Sequence, residues 1–228
     1  MISFRMLATS VLCATLFSSL GTAQDLSKYR DFEFGMSIES VAKLADMNPS
    51  GAKTAHQRPE VIQTLDWEVH AYLDSSPKAD SVRAIRFHFY NGELFKMVVT
   101  YGTAQTKGLR ADDLIEAISA GYGPADMPQT NITVSTFLTY NDTERVLARW
   151  ENAQYSYNLF RASYGMSFGL VAFSKRLESM ASAASREADR LDRLEAPARE
   201  TERQKKQAED EQALQEKARL TNKSKFRP

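Results

Sequence analysis

One cysteine in 228 residues, Cys13, lies inside the most apolar stretch of the chain, so neither a disulfide framework nor a cysteine-ligated metal can organise the remainder. Net charge is missing too. The 29 Lys and Arg balance 29 Asp and Glu, which removes the counterion-release argument for binding nucleic acid. Histidine is scarce: His56, His70 and His88 are widely separated along the chain, with no H-E-x-x-H, so no metal is expected. A phosphate-cradling glycine loop of either the Walker or the G-x-G-x-x-G kind is absent, and no cofactor is expected. What is present, 43% apolar and 10% aromatic residues, is ordinary globular composition.

These averages combine three unlike segments. Residues 1–23 carry Arg5 as their single charge, an apolar stretch from Met6 to Leu20, and the small residues Gly21 and Ala23, the pattern of a secretory signal peptide cleaved after Ala23. The apolar stretch of about 15 residues is short for a membrane span, which needs roughly 20, and the alternative is a retained anchor. Leu12 precedes Cys13 where a lipoprotein signal needs a small residue, so no lipid anchor is expected. Residues 181–228 hold 12 Lys and Arg, 10 Asp and Glu and few large apolar residues, too few to bury a core. They are rich in helix formers, with opposite charges four apart at Asp189/Arg193 and Glu202/Lys206, and Pro197 is expected to divide them into two helices. Leu177, Ala181, Ala184, Ala188 and Leu191 make a thin seam, suited to the domain or to another chain in a coiled coil. Between these ends, residues 24–180 hold 20 of the 23 aromatics and form the folded domain.

Inside the domain a helix followed by hairpins is written twice. Ser37 caps a helix carrying Ile38, Val41, Ala42 and Ala45. A β-leaning run from Val61 to Glu68 follows, then two alternating runs from Val82 to Tyr101 joined by Asn91-Gly92, the dipeptide of a type I′ hairpin turn. Pairing Tyr90 with Glu93 puts Ile85, Phe87, Phe89, Leu94 and Val98 on a core face, against Arg86, His88, Tyr90, Glu93, Phe95 and Met97. The second cycle opens at Ala111-Asp112-Asp113, stops at Gly121-Tyr122-Gly123-Pro124, and continues in strands over 132–140, 146–151, 154–162 and 166–174. Pairing Glu151 with Gln154 places Val146, Ala148, Trp150, Tyr155, Tyr157 and Leu159 inside, and Arg149, Ser156 and Asn158 on a wet face. The order reads as α+β: two helix-plus-antiparallel-sheet units in one domain, of about three and four strands, then a charged helical tail.

Phe34-Gly35-Met36-Ser37 followed by Val41 resembles the helix start of small outer-membrane-assembly lipoproteins of the SmpA/OmlA type. Their helix-plus-sheet unit is similar to each half of β-lactamase inhibitory proteins. The resemblance implies this fold and an exported compartment, while the lipidated cysteine of those lipoproteins has no counterpart here.

Chemistry is thinly represented. Gly165-Met166-Ser167-Phe168-Gly169 spells a nucleophile elbow, but a β-strand follows it and no histidine lies downstream, so it is not assigned as a catalytic serine. Asp112 and Asp113 sit where carboxylates complement a helix dipole. Asn131, Asn141 and Asn222 head glycosylation sequons, relevant only in a eukaryotic secretory route. Trp67, Trp150, Tyr155, Tyr157, Tyr164 and Phe168 could form a sugar or peptide platform, yet core packing accounts for Trp150, Tyr155 and Tyr157. No catalytic, cofactor-binding or metal residue is assigned, and the binding residues are unknown. The leading reading is a periplasmic or secreted, non-catalytic binding or envelope-associated protein, with a protein partner or self-association through the C-terminal helices. An exported enzyme with an unrecognised site and a self-associating structural module are the alternatives.

Overall fold

The computed structural model describes residues 25–68, 80–134, 142–163, 167–225 and 227. The leader expected over 1–23, His70, Asn141, Tyr164, Gly165 and Met166 lie outside the described residues. A small hairpin, β1 (Lys28–Tyr29) and β2 (Phe32–Glu33), leads into helix α1 (Ile38–Leu44), where the Ser37 side chain accepts from the Ser40 amide as the cap. After a single 3-10 turn come β3 (Lys53–His56), β4 (Ile62–Glu68), β5 (Val82–Tyr90) and β6 (Glu93–Tyr101). The short helix α2 (Thr103–Thr106) precedes the second unit: α3 (Ala111–Tyr122), β7 (Asn131–Val134), β8 (Asp142–Glu151), β9 (Tyr155–Arg161) and β10 (Phe168–Ser174). Helix α4 (Lys175–Lys223) ends the chain's regular structure.

The eight long strands form one antiparallel sheet in the order β3-β4-β5-β6-β10-β9-β8-β7. The architecture is α+β, as the helix-then-strands pattern implies. Each unit is a four-strand meander, and the two last strands, β6 and β10, join the units at the centre, with Val98 opposite Val171. The two units are in step along the chain: the same interval separates Ile38 from Ala111, Val82 from Tyr155 and Tyr101 from Ser174. It also separates Gly35 from Gly108, which both hold the positive φ that the chain needs shortly before each helix (94° and 83°). The first unit has four strands rather than about three. Its extra strand, Lys53–His56, is a short sheet edge of mostly exposed residues, and so carries no apolar alternation to announce it.

The main core lies between one sheet face and helices α1 and α3, built on Val41, Phe87, Phe89, Leu94, Trp150, Tyr157, Leu159 and Leu170. The Asn91-Gly92 turn forms as expected, with φ of 50° and 84° and Tyr90 opposite Glu93. A bulge then inserts Phe95, so Met97 and Val99, not Val98, continue the core face. Val98 turns to the other face and clusters with Val134, Phe160 and Val171. A second bulge at Leu147 does the same to Val146, which pairs with Phe160 away from the main core. Trp150 pairs with Tyr157, not Tyr155; the register slips by two residues, which preserves sidedness.

The second face is not a wet face. Ser156 and Asn158 are buried there, with Asn158 at 0% exposure, and Arg149 donates to the Asn158 side-chain oxygen at 2.7 Å. Asn158 in turn donates to the Ser156 hydroxyl at 3.0 Å, so this polar group stays hydrogen-bonded inside. Part of that face is covered by α4, whose Leu177, Ala181 and Ala184 pack on Ile62, Tyr90 and Phe95. The helix therefore begins before residue 181 and the free tail after it: β10 runs directly into α4, and the first turns, through Ala188, belong to the domain. Pro197 also fails to divide it. The helix continues through the proline, and Arg199 reaches back across it to Asp192 at 2.7 Å and Glu195 at 3.1 Å.

Candidate functional site

A cleft of about 830 Å³ lies beside the sheet end where β4 finishes and β5 begins. Three local features build it. The β1–β2 hairpin turns through Arg30 with φ of 55°, which presents the guanidinium to Asp80 in two hydrogen bonds of 2.5 and 2.6 Å. Arg30 also lies over the Tyr29 ring, 5.7 Å from its centre. The C-terminal end of α1 contributes Leu44 and Met47, and β4 contributes Trp67. Phe32, tilted against Phe87 with ring centres 4.7 Å apart, closes the apolar floor.

Electrostatics divide this cleft. On one side the Arg30 pair holds the Asp80 carboxyl below the usual carboxylate range, and Asp80 also accepts from the Val82 amide at 2.9 Å. On the other, Asp66 takes two hydrogen bonds from Arg86, at 2.6 and 3.1 Å, and lies 3.6 Å from the Lys53 ammonium. An apolar floor is thus flanked by paired charges of both signs. Leu44 is 50% exposed, next to Val41 and Ala42, which are fully buried. The described lining includes no histidine, serine or cysteine, and offers carboxylates and cations. The arrangement suits recognition of an apolar side chain carried on a polar backbone.

The residues singled out by sequence go elsewhere. Trp150, Tyr157 and Phe168 are buried in the main core, and Tyr155 stacks on Phe34 at 5.4 Å, so they form no exposed platform; of the described members of that set, Trp67 alone reaches the cleft. Asp112 and Asp113 occupy the first turn of α3, where Asp113 accepts from the Arg110 amide at 2.7 Å. Ser167 stands just before strand β10, so a strand does follow it. Asn131 opens β7 and Asn222 lies in the last turn of α4. His56 ends β3, two strands away from His88 near the end of β5, and among the described residues no group of three or more His, Cys, Asp or Glu could hold a metal ion. Sequence reasoning misses Arg30, Leu44 and Asp80. The one signal it offers is Leu44, a large apolar residue one step off the buried stripe of its helix.

His88 has a different significance. It lies on the second face; its Nε2 is buried without a hydrogen-bond partner, although the residue as a whole keeps some exposure. Burial, reinforced by Lys96 and Arg86, pushes the imidazole pKa well below its ordinary value. Those cations are themselves paired, Lys96 with Glu178 of α4 and Arg86 with Asp66 of β4. Below pH about 6.5 the unfolded chain takes up a proton that the folded chain refuses, so stability falls with acidity by about 1.4 kcal/mol per pH unit until the folded imidazole titrates. Urea unfolding at pH 7 and pH 5 should therefore show the parent losing about 1–2 kcal/mol more than His88→Leu over that interval. Identical losses would show that His88 is not a buried neutral base.

No protein-family model, curated protein or solved structure matches the chain.

Proposed function

We propose that this is an exported, non-catalytic binding protein, and that it recognises a polypeptide segment by taking an apolar side chain into the cleft between Leu44, Met47 and Trp67. The observation that carries the reading is that cleft: an apolar floor with a half-exposed leucine, bordered by the Arg30–Asp80 and Arg86–Asp66 pairs, which can meet backbone amides and carbonyls. Export rests on residues 1–23, with their lone Arg5, apolar stretch and Gly21-Thr22-Ala23 ending. Among the described residues no helix is long and apolar enough to cross a membrane. The resemblance of Phe34-Gly35-Met36-Ser37 to envelope-assembly lipoproteins agrees with an envelope setting.

A photo-crosslinking residue at position 44, expressed in the producing cell, tests this directly. It should yield a discrete adduct with another polypeptide in the exported fraction, whereas the same residue at exposed Met127 should not. Introducing Trp67→Asp should abolish the position-44 adduct. Equal labelling from both positions, or none from 44, overturns the reading. An adduct of twice the chain's mass would instead support the self-associating module.

A further inference from the structure

Helix α4 spans 49 residues, yet its buried residues are Leu177, Ala181, Ala184 and Ala188, and every described residue from Ala196 onward is exposed. A coiled coil would need the seam to go on. Extending the four-three alternation past Leu191 places Glu195, Ala198, Glu202, Lys205 and Glu209 in it, which would bury three carboxylates and an ammonium along a helix pair. Leu194, Leu214 and Leu220, the exposed leucines of this helix, do not line up at heptad spacing. A helix polar all round persists when its own side chains brace it. Here Glu195–Arg199, Glu200–Arg203, Lys205–Glu209 and Glu216–Arg219 pair within single turns, and in three of the four the acid precedes the base, the favourable order. The unfavourable first turn is already formed by the packed root, so the distal part has only to propagate.

The root is also tied to the domain. Arg58, in the loop between β3 and β4, holds Glu195 at 2.5 Å and lies 3.6 Å from Asp192, the same two carboxylates that Arg199 grips from beyond Pro197. Four charges therefore straddle the proline and connect the loop, the root and the distal helix. Exposed pairs of this kind contribute little to stability, but a cluster fixes direction.

We propose that residues 196–223 act as a rigid, unpaired helical spacer, holding their far end about 40 Å from the domain, with the Arg58–Asp192–Glu195–Arg199 cluster setting its angle. Pulsed electron–electron resonance on the full chain tests this, using Cys13→Ser with spin labels on Arg186→Cys and Gln212→Cys. The separation should be narrow and about 40 Å, plus the label arms, as the rise of an unbroken α-helix between the two positions dictates. A broad, shorter distribution would mean a disordered tail and overturn the spacer. A dipolar signal from Gln212→Cys alone would mean paired helices and overturn it equally. For the joint, labels on Thr143→Cys and Gln212→Cys report domain to arm. Arg58→Ala, and independently Arg199→Ala, should broaden that distance at least twofold while leaving the 186–212 distance unchanged. An unaltered domain-to-arm distance in both variants would remove the joint from the proposal.

Discussion

Replacing Trp150 with Ala lowers the unfolding free energy by about 3–5 kcal/mol, the range for deleting a large aromatic from a packed interior, with roughly 1 kcal/mol more from an interrupted hydrogen bond. The side chain is 2% exposed and sits on β8 opposite Tyr157, in the layer between sheet and α3. Its indole N–H donates to the Gly123 carbonyl at 3.0 Å, with the Ser119 hydroxyl at 3.2 Å. Both acceptors belong to the end of α3, so one side chain ties that helix to the sheet and caps its last turn. Truncation opens a cavity and strands a carbonyl. For a chain of this size the melting temperature should fall by roughly 10–15 °C. Trp67 is the control: it is partly exposed at the rim of the cleft, and Trp67→Ala should destabilise by about half as much. Urea unfolding followed by far-ultraviolet circular dichroism measures both. A Trp150→Ala loss no greater than that of Trp67→Ala would remove Trp150 from the core.

How much of this is legible in the sequence depends on distance along the chain. Local signals read well: Ser37 as a cap, Asn91-Gly92 as a two-residue turn, Gly123 as a helix stop, and the helix-plus-meander repeat. Each depends on the conformational preference of one or two residues, which sequence states directly. Two bulges are invisible, because an inserted Phe95 or Leu147 is as apolar as its neighbours and leaves no gap in the pattern. Each reverses the face of the residues on one side of it, which is why strict alternation puts Val98 and Val146 in the wrong layer. The covered second face escapes for another reason. Ser156 and Asn158 read as wet until Arg149 is seen satisfying Asn158 and Phe160, Val171 and Val98 are seen closing around them.

The cleft is least legible of all. Arg30 meets Asp80 across 50 residues, and Arg58 meets Glu195 across 137, so neither pair shares a local motif. Pro197 misleads in the opposite direction. Its intrinsic tendency to end a helix is real, yet α4 runs on through it, with ion pairs whose partners lie on both sides.

The domain ends inside α4: its first turns cover part of the second sheet face, and the remainder is an arm that the fold does not need. Two truncations of the chain from Gln24 measure this in one thermal-unfolding experiment. A chain ending at Ala196 keeps Leu177, Ala181, Ala184, Ala188 and the Arg58–Glu195 pair. It should retain a single cooperative transition within about 2 °C of the full chain, because the residues removed bury no apolar surface. A chain ending at Ser174 exposes Ile62, Tyr90 and Phe95 and loses the leucine and two alanines that pack there. It should be destabilised by about 4 kcal/mol or more, a large share of the stability of an ordinary domain, and it should melt far lower or without cooperativity. Matching transitions for the two truncated chains would contradict the account, since the second face would then need no helix to cover it.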